Sequence, residues 1–140
     1  MRFARWVFLL AGIYGMPVVL TSFFREQQIG VDTPPPITHP EYFYGFLAVT
    51  LAWQVAFFII AGDPARYRPL MPPAVLEKLL FALFIAVLYV QGRTGISMFV
   101  AGMIDLVIGV LFLAAWWLTR PEQRSTSNVQ RSTGYTGAPR

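Results

Sequence analysis

One stretch constrains this chain more than any other: Ile96 to Thr119, ISMFVAGMIDLVIGVLFLAAWWLT, an apolar run long enough to cross a bilayer, with one carboxylate, Asp105, near its middle. Gly102, Asp105 and Gly109 stand at steps of three and four, so they share one face of a helix. Two glycines around a buried acid make a face suited to close approach of another backbone, not to lipid. A partner helix must therefore exist.

The rest of the chain supplies it. Three further apolar runs occur, and the four predicted spans are about 3–24, 42–61, 74–91 and 96–119. Hydrophobic residues make up 56% and charged residues 13%, well below the roughly one quarter of charged residues in soluble domains. The expected fold is all-α: a four-transmembrane-helix bundle over residues 1–119, followed at 120–140 by a polar, disordered cytoplasmic tail. The first run has a signal-like positive start, but no small-x-small cleavage site follows it, so it is read as a retained helix. Ala11 and Gly15 give that helix a close-packing face, and Pro17 is expected to kink its outer half.

Between the first two runs, Arg25 to Pro40 is polar and proline-rich and is expected to be an external loop, stiffest at Pro34-Pro35-Pro36. Thr38 and Glu41 fit a capping box opening the second helix, and Tyr42, Phe43, Tyr44 and Phe46 fit an interfacial aromatic belt. Gly45, Ala48, Ala52 and Ala56 form a small-residue stripe expected to pack on a neighbour, with Gln54 on a different face. Asp63 can cap the short turn before Pro72-Pro73, where the third helix begins. Glu77 is placed in that helix's first turn, and Gly92 to Gly95 is a tight turn.

Orientation follows from the basic residues. Arg2, Arg5, Arg66, Arg68, Lys78, Arg120, Arg124, Arg131 and Arg140 fall on one side, Arg25 and Arg93 on the other. The positive-inside rule then puts both termini in the cytoplasm, which an even number of spans also requires. The expected location is the bacterial inner membrane.

Several function classes drop out. With no cysteine there is no disulfide or thiolate chemistry, and with His39 as its single histidine the chain cannot supply bis-histidine haem or a multi-histidine metal site. A formal charge of +4 is dispersed over loops and termini, which argues against a nucleic-acid surface. No P-loop, GxSxG or HExxH motif occurs. No catalytic residue, metal or cofactor is therefore assigned.

The ligand-binding candidates are Asp105, Lys78, Glu77, Gln54, Gly102 and Gly109. Asp105 lies roughly 13 Å into its helix at about 1.5 Å per residue, near the centre of a hydrocarbon core about 30 Å thick. A lone carboxylate there costs about 2.5–3.5 kcal/mol on insertion scales. A turn centred on Arg93 and Thr94 sets Ala82 opposite Asp105, with Lys78 one helical turn away on the same face. Two arrangements are open: Lys78 pairs with Asp105, or Lys78 snorkels to the headgroups and a protonated Asp105 bonds a neighbour such as Gln54. Glu77 and Asp105 are expected roughly 10 Å out of level, too far for joint acid–base work. Arg66 and Arg68, beside Tyr67, are candidates for lipid phosphates.

The stretches HPEYFYGF (39–46), AWQ (52–54), DPARYRPLM (63–71) and LEK (76–78) resemble uncharacterised small four-helix bacterial membrane proteins, loosely similar to the DoxX-like group. The likeness covers roughly residues 38–118, in layout more than in a diagnostic motif. It implies the four-helix fold; some relatives of that group are linked to quinone-dependent respiratory complexes, but the group is functionally diverse and implies no activity. It carries over no catalytic residue. The expected function is a non-enzymatic accessory subunit or a binder of a lipid or quinone, as a homodimer or within a membrane complex. The alternatives are a small proton-coupled transporter using Asp105 and a membrane-embedded enzyme acting on a lipid.

Overall fold

Apolar side chains all around a helix leave its backbone no alternative but to satisfy itself, and four segments of this chain do so at membrane length. The computed structural model describes residues 1–33 and 36–120. Within them run α1 (Arg2–Ser22), α2 (Glu26–Asp32), α3 (Pro40–Gly62), a 3-10 turn at Arg68–Leu70, α4 (Met71–Val90) and α5 (Ile96–Leu118). There is no strand among the described residues. Helices α1, α3, α4 and α5 are the four long enough and apolar enough to cross a membrane. Pro34, Pro35 and the tail from residue 121 lie outside the described residues.

Two antiparallel hairpins build the bundle. α1 packs on α3, α4 packs on α5, and the hairpins join mainly through α1 and α5, while α3 and α4 scarcely touch. The α4–α5 turn is closed by Gly92, whose φ of +69° suits glycine. Gly92 N–H donates to the Tyr89 carbonyl and Arg93 N–H to the Leu88 carbonyl, both at 2.9 Å, which is a Schellman closure.

Close packing rests on small residues, as it must where lipid provides no hydrophobic drive between helices. A Cβ at Gly102 would lie 2.9 Å from Ile85 Cγ2, and one at Gly109 would lie 2.9 Å from Leu79 Cδ2 and 3.2 Å from Lys78 Cβ. The Gly102–Asp105–Gly109 face is thus the surface on which α5 meets α4. On α1, a Cβ at Gly12 would press on the Phe58 ring at 3.0 Å, and one at Gly15 would fall on the Gln54 amide.

Several expectations are corrected. The small-residue stripe of α3 does not face a neighbouring helix. Gly45, Ala48 and Ala52 are exposed, and Leu47, Gln54, Phe57 and Ile60 turn inward instead. Larger side chains won that face because Gly12 and Gly15 of α1 leave room for them. The N-cap of α3 is His39, not Thr38, and no side-chain capping bond forms. His39 Nδ1 instead lies 3.2 Å from Glu41 Oε1. The external segment is not wholly irregular: α2 forms there, held by Gln28 Nε2 donating to Asp32 Oδ1 at 2.7 Å. Tyr44 donates to Glu26 Oε2 at 2.8 Å and ties α2 to α3.

Along the bundle axis the interior changes character. At the end that holds Arg2, Arg5 and Trp116, the fully buried rings of Phe8, Phe57 and Phe112 form one cluster. Phe8 stacks on Phe112 with centroids 4.0 Å apart, and Phe57 meets Phe112 edge-on at 4.9 Å. Towards the opposite end, where α1 leads into α2, the four long helices line a half-open cavity of about 160 Å³.

Candidate functional site

The floor of this cavity is the most polar place inside the bundle. Lys78 is eight residues into α4 because that helix begins at Met71, with Pro72 and Pro73 in its first turn, where no backbone donor is missed. The side chain is buried, 6% exposed. Its ammonium donates to Asp105 Oδ2 at 3.0 Å and lies 3.4 Å from Glu77 Oε1. It also sits 5.6 Å from the centroid of the Phe57 ring, so the aromatic cluster closes one side of it.

Of the two arrangements open for Lys78, the structure has the pair, not the snorkelling side chain. It also changes two readings. Lys78 is an interior charge rather than one of the loop cations that set orientation, although the remaining cations keep the same bias. Glu77 is not in the first helical turn at an interface. It is half-buried on the second turn and shares the ammonium with Asp105. The spacing that set the two carboxylates apart measured backbone rise alone, whereas both side chains converge on one long lysine. The second Glu77 oxygen, Oε2, is buried with no hydrogen-bond partner among the described residues.

Gln54 is 2% exposed and lines the same cavity as Lys78 and Asp105. Its Nε2 donates to the Thr50 carbonyl at 3.3 Å, one turn back on α3, and not to Asp105. The cavity walls are otherwise apolar or weakly polar: Gly15, Val19, Phe81 and Ala101 beside the floor, Ser22 and Phe46 towards the α2 end. Phe46 and Phe81 stack at 5.9 Å and bridge α3 to α4 where those helices are otherwise apart. Gly102 and Gly109 take part only by letting α4 come close enough for Lys78 to reach Asp105.

An ammonium has three donors; here Asp105 Oδ2 accepts one at 3.0 Å and Glu77 Oε1 stands 3.4 Å away. The third has no hydrogen-bond acceptor among the described residues. The chemistry on offer is a charged donor beside an amide, at the end of an apolar cavity. General acid–base catalysis fits poorly, since both carboxylates are tied to the same cation. Among the described residues no group of three or more His, Asp or Glu could hold a metal ion.

The arginines divide. Arg66 is exposed, with its guanidinium 5.6 Å from the Tyr67 centroid. Arg68 turns back onto the bundle, 5.1 Å from the Trp116 ring, and donates to the Trp116 carbonyl at 3.2 Å. Asp63 does cap its turn, accepting from Arg66 N–H at 3.1 Å. One role was missed from sequence: Arg5 donates to the carbonyls of Ala61 and Gly62, at 3.1 and 2.8 Å, and closes the C-terminus of α3. Composition gave no sign of it, because the contact joins residues more than fifty positions apart.

No family model, curated protein or solved structure matches this chain. The resemblance to DoxX-like proteins therefore neither gains nor loses by comparison, and the site must be judged on its own geometry.

Proposed function

We propose that this protein is a multi-pass protein of the bacterial inner membrane that binds a neutral lipophilic molecule, of the lipid or quinone class, by its polar head. Both termini are cytoplasmic, as the arginine bias favours, and the cavity then occupies the outer half of the bundle. One observation carries the reading: an ion-paired lysine with a spare donor sits at the floor of a mostly apolar, half-open cavity lined by four membrane-length helices. Intramembrane charges are costly and mark ligand or ion sites more often than packing. A carbonyl or hydroxyl accepting from Lys78 Nζ, with Gln54 alongside, makes use of the spare donor.

The test is native mass spectrometry of protein extracted gently from its own membrane, wild type beside Ala101→Leu. Ala101 lines the cavity wall but touches none of the charged groups' bonds, so leucine fills the space and leaves the ion pair. A discrete bound lipophile in the wild type, missing from the variant, supports the reading. Wild-type protein carrying only a random sample of bulk lipid sinks it.

A second reading, proton-coupled transport, is favoured by the charge count alone. Two carboxylates against one ammonium leave an excess negative charge, which one proton on the Glu77–Lys78–Asp105 group neutralises. Proton uptake into vesicles driven by a gradient of the retained molecule distinguishes the two; binding without flux leaves the first.

A further inference from the structure

We propose that the cavity selects a hydroxyl head, with Gln54 as the residue that tells an alcohol from a carbonyl. This rests on the ligand-binding reading above and narrows it from neutral lipophiles in general to long-chain alcohols and, within the quinone class, to the reduced quinol. What decides it is the unused hydrogen-bonding capacity at the floor of the cavity.

Two buried side chains, Lys78 at 6% exposed and Gln54 at 2%, reach the cavity from α4 and α3. Lys78 has a donor left over once Asp105 and Glu77 are counted. Gln54 has an acceptor left over. Its Nε2 donates to the Thr50 carbonyl at 3.3 Å, which fixes the two ends of the amide, since the reverse would set two oxygens face to face. Oε1 then accepts no hydrogen bond among the described residues, and it lies against Gly15, another residue of the cavity wall. The nearby hydroxyls do not supply it. Thr50 Oγ1 donates to the Phe46 carbonyl at 2.8 Å, and Ser22 Oγ to the Val18 carbonyl at 2.7 Å.

A head that fills this space must accept from Lys78 and donate to Gln54. A hydroxyl does both. A ketone, quinone or ether accepts but cannot donate, and it shuts Gln54 Oε1 away from water without a partner. A carboxylate shares that defect and adds negative charge beside Glu77 and Asp105. An ammonium donates, but it offers Lys78 no acceptor and sets two cations together. Asp105 is a weaker discriminator than Gln54, because it is already paired and its side chain is 17% exposed. Lys78 and Gln54 stand on helices that scarcely touch, so a hydroxyl between them links α4 to α3, and its binding should raise thermal stability.

The experiment places the full chain in detergent micelles and compares dodecyl methyl ketone with the secondary alcohol obtained by reducing it, a pair alike in length and in the place of the oxygen. Each is titrated by mole fraction in the micelle while thermal unfolding of the protein is followed. The alcohol is expected to reach half its maximal shift at about a tenfold lower mole fraction than the ketone. In Gln54→Met, which keeps the length of the side chain and loses the amide, the alcohol should fall to the level of the ketone. A ketone as effective as the alcohol on wild-type protein overturns the hydroxyl assignment and leaves the cavity reading intact. An alcohol preference that survives in folded Gln54→Met removes Gln54 from the role given to it. Should that variant unfold, the wild-type comparison still decides the class of head. Shifts by neither compound, or shifts undiminished in the cavity-filling Ala101→Leu, remove the site itself.

Discussion

The two halves of this bundle are built from the same four helices and differ in nearly everything else. At the arginine end the interior is aromatic and closely packed: three phenylalanine rings in mutual contact, Thr119 Oγ1 against the Met71 sulfur at 3.6 Å, and Arg5 closing α3. Towards α2 the helices line a half-open cavity whose floor carries Lys78 and Asp105, with Glu77 beside the same ammonium. A chain that needed only to hold together would gain from filling that space with leucine. Packing contributes stability at one end, and the other end forgoes some of it for a polar floor.

The largest effect is expected where the halves meet. Lys78→Met leaves two half-buried carboxylates without their cation and should destabilise the bundle by about 3–5 kcal/mol, read as unfolding in mixed micelles. A loss below about 1 kcal/mol would show that the carboxylates have other partners and that the floor is not one unit. Next comes Phe112→Ala in the aromatic half, at about 3 kcal/mol. Unlike Lys78→Met, it should leave ligand retention unchanged, since Phe112 does not line the cavity. If retention falls with Phe112→Ala, the halves are coupled and the contrast between them is weaker.

Gly109→Val tests the contact that brings α4 and α5 together. Overpacking against Leu79 and Lys78 should cost about 1–3 kcal/mol and displace Lys78 from Asp105. Weakened ligand retention should accompany the shift in melting temperature. The smallest effect belongs to Arg5→Met, which removes a charged cap from the α3 carbonyls and should cost about 1 kcal/mol with no change in binding.

Sequence reasoning reached the helices because apolar length is a one-dimensional property, and it reached the Asp105 face because glycine spacing reports helix-on-helix approach directly. It also set Ala82 opposite Asp105 and brought Lys78, one turn away, within reach as one of two open arrangements, since a short turn fixes the register of a hairpin. Glu77 was misjudged for a physical reason. Its helix starts three residues earlier than the Ala74 expected from the proline pair, and side-chain reach, not backbone level, decides what meets Lys78. The inward face of α3 was also misread, because small residues permit close packing but do not require it. Here α1 supplied the small residues and α3 the bulk. The cavity takes its lining from all four long helices, α1 and α5 among them at opposite ends of the chain, and no local pattern encodes it.

The most direct measurement compares ligand retention by native mass spectrometry in wild type and in the double variant Lys78→Gln/Asp105→Asn. The double variant removes one positive and one negative charge, so the net charge of the floor is unchanged and the buried hydrogen bond can persist between neutral groups. Wild-type protein is expected to keep one discrete neutral lipophile and the double variant, folded to the same extent by thermal unfolding, to lose it. Equal retention by both would contradict the claim that Lys78 anchors a ligand and would return the ion pair to a purely structural role.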